Sequence, residues 1–162
     1  MRNKKVLYLT QAAMIAAIYV VLTFIANALG LASGVIQVRL SEALTILPYF
    51  TSAAIPGVSI GCLLSNILTG CSLMDIIFGT IATLLGAIGS YSLRKHKFLV
   101  PLPPIIANTI IVPWILRLSY GLEDAIPYMM LTVGIGEIIS CGLLGMLLLF
   151  ALDQYKDVIF KQ

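Results

Sequence analysis

The sequence predicts an all-α membrane protein, a bundle of six transmembrane helices with both termini on the cytoplasmic side. Three observations predict it. Of the 162 residues, 60% are hydrophobic and 10% charged, with a mean hydropathy of +1.04, which leaves too little polar surface to clothe a soluble globule of this size. Apolar runs recur along the whole chain at about the 20-residue length that crosses a bilayer as helix, so residues 1–162 read as one membrane domain. The basic residues gather in three clusters, Arg2/Lys4/Lys5, Arg94/Lys95/Lys97 and Lys156/Lys161, which the positive-inside rule places on one side of the membrane. The net charge of +3 therefore reports topology, and no nucleic-acid surface is expected.

The first helix covers about residues 7–29. Its basic start and the Ala26-Asn27-Ala28 ending have the outline of a signal peptide. The run from Val6 to Leu29 is nevertheless long enough to span, and the topology closes only if it is retained. Gly30, Ser33 and Gly34 then form a loop leading to the polar group Gln37, Arg39, Ser41 and Glu42.

Residues 40–68 are apolar but broken by Pro48 and by Pro56-Gly57. One kinked helix here would put the Arg94 cluster across the membrane from the N-terminus. Two short helices, about 40–52 and 55–68, put all three clusters inside. Helices this short cannot cross upright, so tilting or shielding by neighbours is expected, and shielding makes room for a cavity. The remaining helices are expected at about 73–93, 99–118 and 126–152, with Glu123/Asp124 in an outer loop.

Small residues mark where helices approach closely: Ala12/Ala16 and Ala13/Ala17 in helix 1, Gly57/Gly61, and Gly86/Ser90. The glycine pairs are expected to pack within the bundle. The doubled alanines form a smooth strip suited to another protein. Cys62, Cys71 and Cys141 make no metal-ligand pattern, and the one histidine, His96, lies in a basic loop, so neither zinc nor any other cofactor is expected.

Charges inside spans face a cavity or a partner, which makes each a candidate for function. Arg39, Ser41 and Glu42 open helix 2 from outside, Asn66 lies toward the outer end of helix 3, and Asp75 starts helix 4. Arg117 and Trp114 belong to the outer half of helix 5, and Asn108 lies near its middle. Ser41 and Asp75 also suit helix caps, and Arg39 or Arg117 can snorkel to headgroups. Glu137 has no such local role, since it lies roughly 16 Å into helix 6 with no cation beside it. The inner halves are nearly bare of polar groups, and no row of acids crosses the membrane. A binding site open to the outside fits that distribution better than a channel. The sequence has no phosphate loop, so any ATP-driven step belongs to another subunit.

The stretches Gln37-Val38-Arg39-Leu40-Ser41-Glu42-Ala43-Leu44, Leu47-Pro48-Tyr49-Phe50, Ala54-Ile55-Pro56-Gly57, Gly61-Cys62, Asn66 and Asp75-Ile76-Ile77-Phe78-Gly79-Thr80 together resemble the QueT family. Pro103-Pro104, Asn108 and Gly136-Glu137 continue the resemblance over nearly the whole chain. It implies the substrate-binding S component of an energy-coupling factor (ECF) transporter in the bacterial plasma membrane. Such a component imports queuosine precursors, 7-deazaguanines such as preQ1 or queuine, and is driven by a transmembrane T subunit and two ATPase subunits. The resemblance implies no enzymatic activity, and it makes Ala12, Ala13, Ala16 and Ala17 the T-subunit contact.

A 7-deazaguanine presents its N1-H and 2-amino donors side by side, and a buried carboxylate accepts both. Glu137 is the candidate for that role. Glu42 or Asp75 suits the cationic aminomethyl group of preQ1, Asn66 and Asn108 the remaining ring edge, Arg39 a carboxylate, and Trp114 or a tyrosine the base plane. Two other readings stay open: an S component for another vitamin, and a non-transport membrane scaffold. A ligand panel separates the first, and recovery of T and ATPase subunits the second.

Overall fold

The computed structural model describes residues 4–32 and 35–160. Arg2, Ser33, Gly34 and Lys161, named above, lie outside the described residues. What is described is all helical: α1 (Lys4–Ala28), α2 (Ala54–Leu68), α3 (Thr80–Ser92), α4 (Leu102–Tyr120), α5 (Ile126–Glu137), α6 (Gly145–Asp153) and the short α7 (Lys156–Ile159). A π-helical turn at Asp75–Gly79 extends α3 at its start, and a second at Ile138–Leu144 joins α5 to α6 in one rod. Four rods, Lys4–Ala28, Asp75–Ser92, Lys97–Tyr120 and Ile126–Asp153, are long and apolar enough to cross a membrane. The chain is a multi-pass membrane protein.

Residues Leu40–Tyr49 form a 3₁₀ helix instead of an α-helix. Such helices rarely exceed four residues, because their hydrogen bonds are poorly aligned. This one is held by its surroundings, since Ser41 to Pro48 are all buried between α1, α3 and the Ile126–Asp153 rod. Side chains also satisfy its backbone: the Thr45 hydroxyl donates to the Glu42 carbonyl at 2.6 Å, and Cys141 Sγ reaches the same oxygen at 3.5 Å. At a rise of about 2 Å per residue it is about 20 Å long, too short for the hydrocarbon layer, so it occupies the protein interior and not the lipid boundary. Ile46, Leu44 and Leu47 from this segment join Ile15, Val58, Ala87 and Leu149 in the apolar core.

Glycines set the helix spacing. A Cβ at Gly57 would stand 2.9 Å from Ile15 Cβ, and one at Gly61 would stand 2.6 Å from Tyr19 Cβ, so α2 lies directly on the Ala12–Ile15–Ala16–Tyr19 face of α1. A Cβ at Gly86 would stand 2.7 Å from Pro104 Cα, and the Ser90 hydroxyl donates to the Val100 carbonyl at 2.7 Å. Both small-residue pairs therefore work within the bundle. The contact with α2 also divides the alanine strip: Ala12 and Ala16 are buried, whereas Ala13 and Ala17 face outward.

The two ends of the bundle differ in charge. At one end Lys97 pairs with Asp153 at 2.5 Å, Lys156 pairs with the same carboxylate at 3.3 Å, and Lys4 borders a cleft with Tyr8, Gln11 and Ser52. At the other end lie the close of α1, the close of α2, the start of the Asp75–Ser92 rod and the close of α4, and these surround a cavity.

Candidate functional site

The cavity measures about 340 Å³, within the range of about 300–1,000 Å³ typical of small-molecule sites. Its polar wall includes Thr23 and Asn27 from α1, Gln37, Arg39 and Ser41 from the loop and the 3₁₀ start, Ser65 and Asn66 from α2, and Asp75. Tyr19 of α1 and Tyr120 of α4 supply aromatic surface, and Ala26, Ala32, Leu116 and Leu122 the apolar remainder.

Each charged group is fixed by an identifiable feature. Asp75 opens the π-turn, and π-turns inside helices recur at functional sites because they re-aim side chains. Its Oδ2 accepts a hydrogen bond from the Tyr120 hydroxyl at 3.0 Å, and its backbone carbonyl accepts from Asn66 Nδ2 at 3.2 Å. Gly79 leaves space for both groups: a Cβ there would sit 3.1 Å from Asp75 Oδ1 and 3.3 Å from Asn66 Nδ2. Asp75 is only 5% exposed, yet its Oδ1 has no hydrogen-bond partner.

Arg39 is placed by the last rod. The loop backbone at Gln37 lies so close to Gly136 that any side chain at 136 would collide with the Gln37 carbonyl. Two residues after Gln37, the Arg39 amide donates to Ser140 Oγ at 3.0 Å, and that hydroxyl donates to the Gly136 carbonyl at 2.8 Å. The Arg39 side chain lines the cavity within electrostatic reach of Asp75, Glu42 and Glu137. Among the described residues it makes no ion pair within 4.0 Å; both such pairs lie at the opposite end of the bundle.

Behind the cavity wall lies a second polar group. Tyr19 Oη donates to Glu42 Oε1 at 2.5 Å, Asn108 Nδ2 approaches Glu42 Oε2 at 3.5 Å, and Cys141 Sγ meets Glu137 Oε2 at 3.2 Å and Thr45 Oγ1 at 3.5 Å. One ligating atom from each of Glu42, Glu137 and Cys141 lies within 4.8 Å of the others, and all three residues are buried. A carboxylate pair with a thiol is a plausible donor set on paper, but Glu42 already holds Tyr19 and Asn108, so the cluster reads as an internal network.

Of the residues singled out from the sequence, Arg39, Asn66 and Asp75 line the cavity, while Glu42, Asn108 and Glu137 form the network behind it. Trp114 is 51% exposed on α4 and is not part of the cavity wall. The sequence reading did not single out Tyr19, Tyr120 or Ser140, and it set Cys141 aside as making no metal-ligand pattern. Tyr19 carried a signal, because it follows Ala12, Ile15 and Ala16 at the three- and four-residue spacing of one helix face. Tyr120, at the helix end beside Gly121, carried none.

A bundle with four membrane-length rods and a polar cavity at one end defines a multi-pass membrane protein with a solute-sized site. The chain belongs to the QueT transporter family, whose model matches residues 9–154. It is 36% identical over 84 residues to a protein of Lactococcus lactis subsp. cremoris (strain MG1363) named queuosine precursor transporter QueT. That match covers 52% of this chain and 49% of the relative, so it spans about half the length of each. No solved structure matches the chain.

Proposed function

We propose that this chain is the substrate-binding S component of an ECF importer in a bacterial plasma membrane, and that it captures 7-deazaguanine precursors of queuosine from outside the cell. The observation that carries the reading is the cavity itself, where Arg39, Asn66 and Asp75 converge at the end of the bundle away from the lysines. The positive-inside rule turns that polarity into direction, with the basic end and both termini in the cytoplasm and the cavity facing out. Six crossings follow if the buried 3₁₀ segment and α2 serve as two short passes. The name of the Lactococcus relative supports the substrate class.

In this reading the flat base lies between Tyr19 and Tyr120, with the side-chain oxygen of Asn66 on its polar edge and Arg39 beside its carbonyl. Glu42 acts through Tyr19, whose ring it orients. Glu137 and Asn108 support the same wall from behind and do not touch the ligand. A T subunit and two ATPases supply the energy, and the T subunit docks on the outward alanines Ala13 and Ala17, Ala12 and Ala16 being taken up by α2.

The test is calorimetric titration of the purified protein with preQ1 and queuine, with riboflavin and thiamin as competitors. Saturable binding of a 7-deazaguanine that neither vitamin displaces is expected. Binding of a vitamin in its place would overturn the reading. Leucine at both Ala13 and Ala17 is expected to abolish uptake in cells expressing the partner subunits while leaving preQ1 binding intact.

A further inference from the structure

At the basic end of the bundle a separate cleft of about 170 Å³ opens between the start of α1 and the loop that precedes α2, lined by Lys4, Leu7, Tyr8, Gln11 and Ser52. The four residues from α1 are three and four positions apart and so share one helix face. Thr51 holds the loop against that face, its hydroxyl donating to Gln11 Oε1 at 3.1 Å. What remains in the cleft is a set of donors. Gln11 keeps its Nε2 once Oε1 is taken, Tyr8 and Ser52 bring hydroxyls, and Lys4 brings an ammonium group. Among the described residues none of these four groups has a hydrogen-bond or ion-pair partner, and no acidic side chain lines the cleft. Four donors facing no acceptor suit an anion, and the oxygens of one phosphate accept from several of them at once.

The place of the cleft says where that phosphate comes from. The 25 residues of α1 make a helix about 37 Å long against a hydrocarbon layer of about 30 Å, so its ends reach the headgroups. Lys4 and Tyr8 therefore lie at headgroup depth. From Leu7 the same side of α1 continues into the membrane as Met14, Ile18 and Ile25, spaced by seven, four and seven residues and all exposed. We propose that the cleft binds the phosphate of an anionic phospholipid, whose chains lie along Leu7, Met14 and Ile18. Lys4 supplies the charge, and Tyr8, Gln11 and Ser52 supply neutral donors at fixed positions. A lysine that merely snorkels has no such company, so its attraction to anionic headgroups is diffuse. The inference needs only a membrane-spanning bundle and stands apart from the substrate reading.

The experiment titrates the full-length protein in detergent with phosphatidylglycerol and with phosphatidylcholine of the same chains, and counts bound lipid by native mass spectrometry. One phosphatidylglycerol is expected to be retained in preference to phosphatidylcholine. Lys4→Gln is expected to weaken that binding about fivefold, the scale of one basic residue at a membrane surface. Tyr8→Phe removes one hydroxyl and is expected to weaken it by about twofold to tenfold. Lys95→Gln makes the same charge change in the exposed Arg94 cluster, outside the cleft, and is expected to leave the binding unchanged. Equal retention of the two lipids overturns the inference. So does a loss in Lys95→Gln as large as that in Lys4→Gln, which would report general attraction to the basic end. Displacement of the lipid by an equal concentration of glycerol phosphate would show a site for soluble phosphates and overturn the lipid assignment. Binding of neither lipid nor glycerol phosphate would leave the cleft to another occupant and overturn it as well.

Discussion

Two polar regions lie side by side in this bundle, and they are built on opposite principles. In the network of Tyr19, Glu42, Asn108, Glu137 and Cys141, each carboxylate has a donor from the protein itself. In the cavity wall, Asp75 has one oxygen bonded to Tyr120 and one buried without a partner, and Arg39 stands without an ion pair among the described residues. Polar groups inside an apolar bundle are expensive, so those that are satisfied internally hold the structure. The network holds Tyr19 in place, and Tyr19 is at once a member of the network and a wall of the cavity.

Mutations can break that contrast. The largest effect is expected from Glu42→Ala, which strips Tyr19 and Asn108 of their acceptor inside the core. A loss of about 2–4 kcal/mol of stability, read as a lower thermal midpoint in detergent, follows from leaving buried donors unpaired. Gly136→Ala is expected next, at about 1–3 kcal/mol, because its methyl would displace the Gln37 backbone that carries Arg39 into the cavity. Its preQ1 affinity is expected to fall alongside its thermal midpoint. Tyr120→Phe sharpens the contrast from the other side: it removes the hydrogen bonds of the hydroxyl to Asp75 and from the Ser72 amide and is expected to cost about 1–3 kcal/mol, with the fold intact by circular dichroism. Trp114→Leu, on the exposed face of α4, is expected to change stability by less than about 0.5 kcal/mol and preQ1 affinity not at all. A loss of binding in that variant would return the tryptophan to the site.

Hydropathy made the all-helical, membrane-spanning character legible, because apolar length depends only on the order of residues. It did not reveal that residues 40–49 wind as a 3₁₀ helix. That conformation is imposed by burial on every side and by side-chain donors from Thr45 and Cys141, all of them tertiary facts. Glu42, Asp75 and Glu137 are buried, as acids in apolar runs must be. Depth along a helix fixes the height of such a residue but not the direction it faces, so sequence alone could not divide cavity from network. The same limit applied to the alanines of α1. Their spacing marked two adjacent rows, and only the glycines of α2 showed which row is covered.

The three free cysteines offer the most direct test of the central claim that the ligand occupies the cavity and not the network. Cys71 lines the cavity, whereas Cys62 and Cys141 are buried in the bundle. Maleimide labelling of the folded protein, read by mass spectrometry with and without saturating preQ1, separates the two regions. Labelling at Cys71 that preQ1 suppresses, with Cys141 unmodified in both samples, is the expected result. Labelling at Cys71 that saturating preQ1 leaves unchanged would contradict the account, as would preQ1 protecting Cys141 instead.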